Sequence, residues 1–291
     1  MREIFVKTVL NRHRRDKWFL DDYSINPYYG CSFNCIYCYV KGSKYGKNTK
    51  DIFIKINAPE ILEKELKRQA KKRNYGFIAI STSTEPYMHI EERTKLTRKL
   101  LEIISKYRFP VHILTKSPLV LRDIDLLKKI DENAILPKDL KGKLRGAIIS
   151  FSISTLDEEI AKLLEPYAPP PEKRLEAMQK CKEENLQTGV CYIPVLPFIS
   201  DSEEKLDEMV KVAKDYGASY CLIGALTLFG EKETDCKKLY YKFLEKHFSE
   251  LVPKYNELYE FSFQPRIEYQ MKLEKMAKKI CEKYGVKYRI V

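Results

Sequence analysis

The residues of this chain best suited to chemistry are three cysteines packed into eight positions. They lie in the string Cys31-Ser32-Phe33-Asn34-Cys35-Ile36-Tyr37-Cys38, a C-x3-C-x2-C spacing. Soft thiolates favour iron–sulfur clusters, and three in one loop can ligate three irons of a cubane [4Fe–4S] cluster. The fourth iron is then open to a substrate or cofactor. Other readings exist for the same residues. A structural zinc site wants four ligands, usually in two pairs. The histidines (His13, His89, His112, His247) are scattered, and Cys181, Cys191, Cys221, Cys236 and Cys281 are widely spaced. A redox dithiol would use Cys35 and Cys38 and leave Cys31 over. Three core cysteines flanked by Tyr, Asn and Gly would be unusual. The cluster reading uses all three cysteines and is adopted.

The longer string Asn26-Pro27-Tyr28-Tyr29-Gly30-Cys31-Ser32-Phe33-Asn34-Cys35-Ile36-Tyr37-Cys38-Tyr39 resembles the cluster loop of the radical S-adenosylmethionine (SAM) superfamily. It is most like the branch of spore photoproduct lyase and its uncharacterised relatives. Tyr37, just before the third cysteine, fits the superfamily's aromatic position. The resemblance implies a [4Fe–4S] cluster on Cys31, Cys35 and Cys38 with SAM on the open iron. It implies reductive cleavage of SAM to a 5′-deoxyadenosyl radical that takes hydrogen from a substrate. An external one-electron donor such as ferredoxin or flavodoxin goes with that chemistry, and Tyr37 is expected to contact the adenine.

The elements that must position this loop can be read from periodicity. Apolar, β-branched runs alternate with helical-period runs, the pattern of parallel βαβ units. Expected strands are Tyr23–Tyr28, Phe77–Ser81, Val111–Thr115, Ala147–Ile153, Gly189–Val195 and Tyr220–Leu226. Expected helices cover 59–73, 91–107, 118–131, 156–164, 171–184, 202–216, 233–251 and 264–284. Ser202 or Asp201 can cap one helix, and Gly217 and Gly285 can end two. Six units make an α/β fold, a partial (β/α)6 TIM-type barrel of parallel strands with a C-terminal helical extension. The division expected is 1–20 as an N-terminal basic segment, 21–230 as the core barrel, and 231–291 as the extension, with a last strand at 286–290. In such barrels chemistry gathers at the C-terminal strand ends, where the cysteine loop falls.

Those strand ends are polar. The second runs into Ser81-Thr82-Ser83-Thr84-Glu85-Pro86, where Thr84 and Glu85 resemble the family's segment for the SAM ammonium; a helix-capping turn is the alternative. The third ends Thr115-Lys116-Ser117, and the resemblance supports Lys116 as a SAM contact. Ser150, Ser152 and Ser154 share one face by period two, which favours a polar cavity. Ser152 is the expected ribose or carboxylate contact, and Ser154 can instead cap the next helix. Glu165-Pro166-Tyr167-Ala168-Pro169 and Arg174 also match the branch. Arg174 is a second cation for the SAM carboxylate, or else an ion pair with Glu176 or Glu158. Cys191 and Cys221 are either thiyl-forming residues or small core residues.

The chain has 291 residues and a formal charge of +12. That charge favours a polyanionic or phosphorylated partner, so nucleic acid or a phosphorylated substrate is expected as one option. A solvated, ion-paired surface rich in Lys and Glu is the other. No run of eighteen apolar residues occurs, and the N-terminus lacks a signal-peptide pattern, so a cytoplasmic protein with no membrane partner is expected. Two further function classes stand beside the radical reading. One is an electron-transfer iron–sulfur protein; the other is a nucleic-acid-binding protein with a structural metal. Neither would turn over SAM.

Overall fold

The computed structural model describes residues 2–44 and 51–291. A seven-stranded sheet forms its frame. Six strands run parallel: β1 (Asp21–Ile25), β2 (Phe77–Ile80), β3 (Val111–Thr115), β4 (Ala147–Ser152), β5 (Gln187–Val195) and β6 (Tyr220–Ala225). They lie side by side in sequence order, and Asn11–Arg12 adds a short antiparallel edge beside β1. Among the described residues the two edges do not pair with each other, so the barrel is partial, as expected. These strands succeed because both faces are covered. Phe77–Ile80 is buried at every position, the continuous apolar run of a doubly covered parallel strand.

The outer face packs on helices α1 (Ala58–Lys71), α2 (Leu96–Tyr107), α3 (Ile124–Asn133), α4 (Pro171–Glu183) and α5 (Glu203–Asp215). Ser202 accepts the Lys205 N–H at 3.2 Å as the cap of α5, and Gly217 follows its end at φ +92. The inner face holds Phe77, Ile148, Cys191, Tyr220 and Leu222, closed below by Trp18, Phe19, Leu20, Leu140 and Leu144. The end of the N-terminal segment, Trp18–Leu20, therefore packs into the base of the barrel. Its Arg2–Ile4 also joins Phe53–Lys55 and Tyr28–Tyr29 in a small second sheet just before Cys31.

Several expected elements differ. The 91–107 helix breaks at Lys95, which adopts φ +48, giving Glu91–Thr94 and then α2. The 118–131 helix opens as a 3-10 turn, Pro118–Asp123. The 233–251 helix is α6 (Cys236–His247), followed by a 3-10 turn and an unexpected helix, Val252–Leu258. The last helix is α7 (Ile267–Lys283). The terminal strand is absent among the described residues. Lys287 alone bridges Tyr220, while Ile290 turns into the barrel base. One residue of pairing satisfies the edge there, and the buried Ile290 side chain takes the rest of the segment inward.

Candidate iron–sulfur and cofactor site

The cysteine loop leaves the C-terminal end of β1 and is held by its neighbours at each turn. Gly30 sits at φ +83 with its α-carbon so close to Asp51 that a Cβ would lie 2.5 Å from the Asp51 carbonyl oxygen. Only glycine fits that approach. The Thr84 hydroxyl donates to the Gly30 carbonyl at 2.5 Å, and the Ser32 N–H meets the Met88 sulfur at 3.1 Å. The Ile36 N–H donates to the Leu164 carbonyl at 2.9 Å. Asn34 adopts φ +52, a left-handed turn that Asn tolerates better than most residues.

The thiols are thereby gathered in one place. Cys35 is buried, and Cys31 and Cys38 are partly exposed. Burial pushes the Cys31 thiol up to about 12, with the charge of Glu85 adding to it. Burial likewise raises Cys35 well above its ordinary value, and raises Cys38. The opposing influences matter more for function. Backbone N–H groups of Phe33 and Glu85 favour the Cys31 thiolate; those of Val40 and Lys41 favour Cys38. The Lys116 ammonium favours both Cys35 and Cys38. Thiols that are costly to ionise alone, yet ringed by donors, suit a cationic metal centre that deprotonates them on binding. Among the described residues, no three His, Cys, Asp or Glu side chains close on one point as a single metal ion requires. A cubane instead spreads its three cysteines over three irons, and the donor set fits it.

Beside the loop lies a polar network centred on Glu165. Its carboxylate accepts from the Tyr37 hydroxyl and from the Arg174 guanidinium, and from the Ser154 hydroxyl at 2.9 Å. The Lys116 ammonium is 3.7 Å away and donates to the Ser152 hydroxyl at 2.5 Å. It also lies 5.8 Å from the Tyr37 ring centroid. Burial alone would raise Glu165, but the charges of Lys116 and Arg174 and the bonds from Tyr37 and Arg174 outweigh it and hold it at about 2. Burial, then the adjacent Glu165 charge, drives the Tyr37 phenol well above its usual range.

The structure thus brings Tyr37, Lys116, Ser152 and Arg174 into one contiguous site, with Thr84 and Glu85 on its rim at the cysteine loop. Arg174 pairs with Glu165 rather than with Glu158 or Glu176. Its remaining nitrogens donate to the Pro169 and Ser152 carbonyls, both at 2.8 Å. The Arg174 side chain is 1 % exposed and that of Lys116 13 %, so Lys116 is the cation nearer the open space. Glu85 does not cap the Glu91 helix. Its buried carboxylate accepts from the Thr115 hydroxyl at 2.5 Å, from the Lys116 N–H at 2.9 Å and from the Tyr87 N–H at 3.0 Å.

The serine face divides along its length. Ser150 lies deep in the barrel between His112 and Tyr220, 2.7 Å from each. Ser152 faces Lys116, and Ser154 serves Glu165, while Asp157 caps the helix that follows. Cys191 lies on the inner face beside Ile148 and Leu222; Cys221 lies on the outer face against Cys281. In the sequence Glu165 stands out only as part of the Glu165–Pro169 string, which does not mark it as the hub of the network.

The C-terminal residues close one side of this site. Phe33, Cys35 and Tyr37 share a buried cluster with Leu226, Leu228, Tyr240, Tyr255 and Tyr259.

The family model of the radical SAM superfamily matches residues 25–210, which contain the whole cysteine loop and every member of the network. The chain belongs to the radical SAM superfamily. An uncharacterised protein of Methanocaldococcus jannaschii is 32% identical over 190 residues, covering 64% of this chain and 65% of that protein. An uncharacterised protein of Mycobacterium tuberculosis is 26% identical over 264 residues, covering 88% of this chain and 73% of its own length. Among solved structures, a cysteine-to-serine mutant of spore photoproduct lyase superposes with a TM-score of 0.72 at 16% identity, over 98% of this chain and 81% of that one. A double mutant of that lyase with bound SAM and dinucleoside spore photoproduct gives 0.68 at 15% identity, over 92% and 76%. At these identities the likeness establishes the fold, a radical SAM partial barrel.

Proposed function

We propose that this protein is a radical SAM enzyme. In this reading Cys31, Cys35 and Cys38 hold a [4Fe–4S] cluster, and SAM lies between it and the Lys116–Ser152 edge of the network. When bound, such a cluster would supply one electron to the SAM sulfonium, chemistry that splits SAM into methionine and a 5′-deoxyadenosyl radical. The observation that carries the reading is the meeting of the three-thiol loop with the Glu165 network at one end of a family-matched barrel. The chain's own residues do the binding and aiming. Lys116 is placed to pair with the SAM carboxylate and Ser152 to hydrogen-bond carboxylate or ribose. Tyr37 offers a ring face to the adenine. Thr84 and Glu85 fix the segment that meets the ammonium. Arg174, with its donors engaged inside the protein, acts by holding Glu165, which in turn orients Tyr37 and Lys116. The C-terminal cover of the loop helps exclude water from a reactive radical.

An external one-electron donor of the ferredoxin or flavodoxin kind supplies the electron. The reading keeps the division at 20 and 230, and a cytoplasmic setting suits its eight cysteines. Among the described residues no helix is long and apolar enough to cross a membrane. The substrate is not spore photoproduct, because the Ser81–Thr84 stretch carries hydroxyls where the lyase has its hydrogen-donating cysteine. The test is anaerobic reconstitution with iron and sulfide, then reduction in the presence of SAM. About four irons and four sulfides per chain are expected, with 5′-deoxyadenosine formed slowly. A stable four-ligand cluster with no SAM cleavage would instead favour electron transfer. Salt-dependent nucleic-acid binding without SAM cleavage would favour the structural-metal reading.

A further inference from the structure

Lys41 follows Cys38 by three residues. Its backbone N–H donates to the Cys38 carbonyl at 2.9 Å, closing the turn that ends the cysteine loop. Its side chain then folds back. The ammonium donates to the Asn34 side-chain oxygen at 2.7 Å and to the Asn34 carbonyl at 3.3 Å. Asn34 is the left-handed residue immediately before Cys35, so the charge is anchored inside the loop between the first and second cysteines.

The other side of Lys41 is held as firmly. Its carbonyl accepts the Cys236 N–H at 3.1 Å, at the start of α6. Gly42, at φ +97, approaches Phe229 so closely that a Cβ would lie 2.7 Å from its carbonyl oxygen. The backbone of Lys41 is therefore clamped between the cysteine loop and the C-terminal extension, and its ammonium is tied to Asn34 at the exposed edge of the loop. Both hydrogen-bond partners of that ammonium are neutral oxygens. Lys116, the other cation near the thiols, has the Glu165 carboxylate beside it. Burial lowers the Lys41 ammonium, and the thiols of Cys38, Cys35 and Cys31, in that order, act to keep it charged.

We infer that Lys41 is a fixed counter-charge for the cluster, a positioning residue that sets how readily the cluster accepts its electron. The inference rests on the reading that Cys31, Cys35 and Cys38 hold a [4Fe–4S] cluster. The step concerned is a single electron transfer. The donor loses one electron, the cluster charge falls by one, and no proton moves. A cation tied to the loop at the edge of that site, half-buried and so only partly screened, favours the more negative state. It follows that removing the charge lowers the midpoint potential even where the loop still assembles.

The experiment is an anaerobic redox titration of reconstituted protein without SAM, read by electron paramagnetic resonance of the reduced cluster. Variants are Lys41→Met, Lys41→Gln and Lys41→Arg, with Lys99→Met on the exposed face of α2 as control. Poised at the wild-type midpoint, the Met and Gln variants should show a reduced-to-oxidised ratio lower by roughly three- to tenfold; tenfold is 59 mV for one electron. The Arg variant should stay within about twofold, since its charge can still reach Asn34. Gln keeps a donor for Asn34 while losing the charge, so it separates electrostatics from loop geometry should Met fail to assemble a cluster. Four irons per chain in Lys41→Gln with an unmoved midpoint overturns the inference and leaves the reading of the cysteines intact. No cluster in the wild type overturns both.

Discussion

Arg174→Met should be among the most damaging single substitutions away from the cysteine loop, and the structure gives its size. The guanidinium makes a buried ion pair with Glu165 and donates to two carbonyls, Pro169 and Ser152, each at 2.8 Å. Met fills similar apolar volume and supplies none of these donors. Breaking one side of a buried pair costs about 3–5 kcal/mol, because the remaining charge stays buried. A second route gives a similar figure. Glu165 falls from an ordinary 4.5 to about 2, which corresponds to roughly 3 kcal/mol favouring the charged form over its unfolded reference. That figure is shared among Lys116, Arg174 and Tyr37, while the two stranded carbonyls add a further cost of order 1 kcal/mol each. The expected loss is about 4 kcal/mol.

Urea unfolding of the metal-free protein under anaerobic conditions, followed by circular dichroism, measures it directly. Glu165→Gln should also destabilise, since it leaves Arg174 as the stranded charge. The double variant should lose less than the sum of the two by about 1–3 kcal/mol. The pH dependence has a fixed sign. The folded state holds Glu165 below its unfolded value, so the unfolded chain takes up the proton first as pH falls. The stabilisation is complete above pH 4.5 and lost as pH falls through about 2. Arg174→Met should flatten that part of the curve. A variant within about 1 kcal/mol of wild type, or strict additivity in the double variant, would show that charge pairing does not hold this network and refute the reasoning.

Other expectations follow from the same geometry. Replacing Cys31, Cys35 and Cys38 by Ala should abolish the visible charge-transfer absorption of reconstituted protein; zinc filling the site after iron and sulfide treatment would contradict the cluster assignment. Lys116→Met should weaken SAM binding, measured by equilibrium dialysis on reconstituted protein, by a few kcal/mol while cluster absorption persists; unchanged affinity would remove Lys116 from the SAM site. Burial lowers His112 from 6.5 to about 4, against a smaller opposing bond to the Phe19 carbonyl. The neutral ring should thus contribute roughly 3 kcal/mol above pH 6.5 that is lost as pH falls through 4, and His112→Asn should erase that dependence in urea titrations. Reduced protein with SAM should leave spore photoproduct in irradiated dry DNA unrepaired by chromatography; efficient repair would point to Cys191, the cysteine facing inward, as hydrogen donor.

The parallel strands were legible because burial on both faces leaves a local trace. Runs such as Phe77–Ile80 are apolar throughout and buried at every position, so their ends fall within a residue or two of expectation. The cysteine loop was legible because metal ligation by one loop is itself a local pattern. What escaped the sequence was decided by distant partners. Lys95 carries no helix-breaking side chain, yet its left-handed turn lets the Thr97 N–H donate to both carboxylate oxygens of Glu91, at 3.1 and 3.0 Å. Val286–Ile290 alternates like a strand, but its buried isoleucine finds a place in the barrel base and only Lys287 stays on the sheet edge.

The candidate site shows the same division between local pattern and tertiary pairing. Tyr37, Lys116, Ser152 and Arg174 each come from a different segment, and each could be named from its own strand end or motif. Their common partner could not. A glutamate followed by proline reads as a surface turn, and its acid acquires a role only when β3, β4 and α4 deliver three donors to one buried point. The charge balance then explains the division of labour between the two basic residues. A single carboxylate can offset one buried guanidinium, and Arg174 occupies that place with all three nitrogens engaged. Lys116, farther from Glu165 and partly exposed, retains charge for a ligand. The pair is therefore asymmetric in function: loss of Arg174 should register first in folding, and loss of Lys116 first in binding.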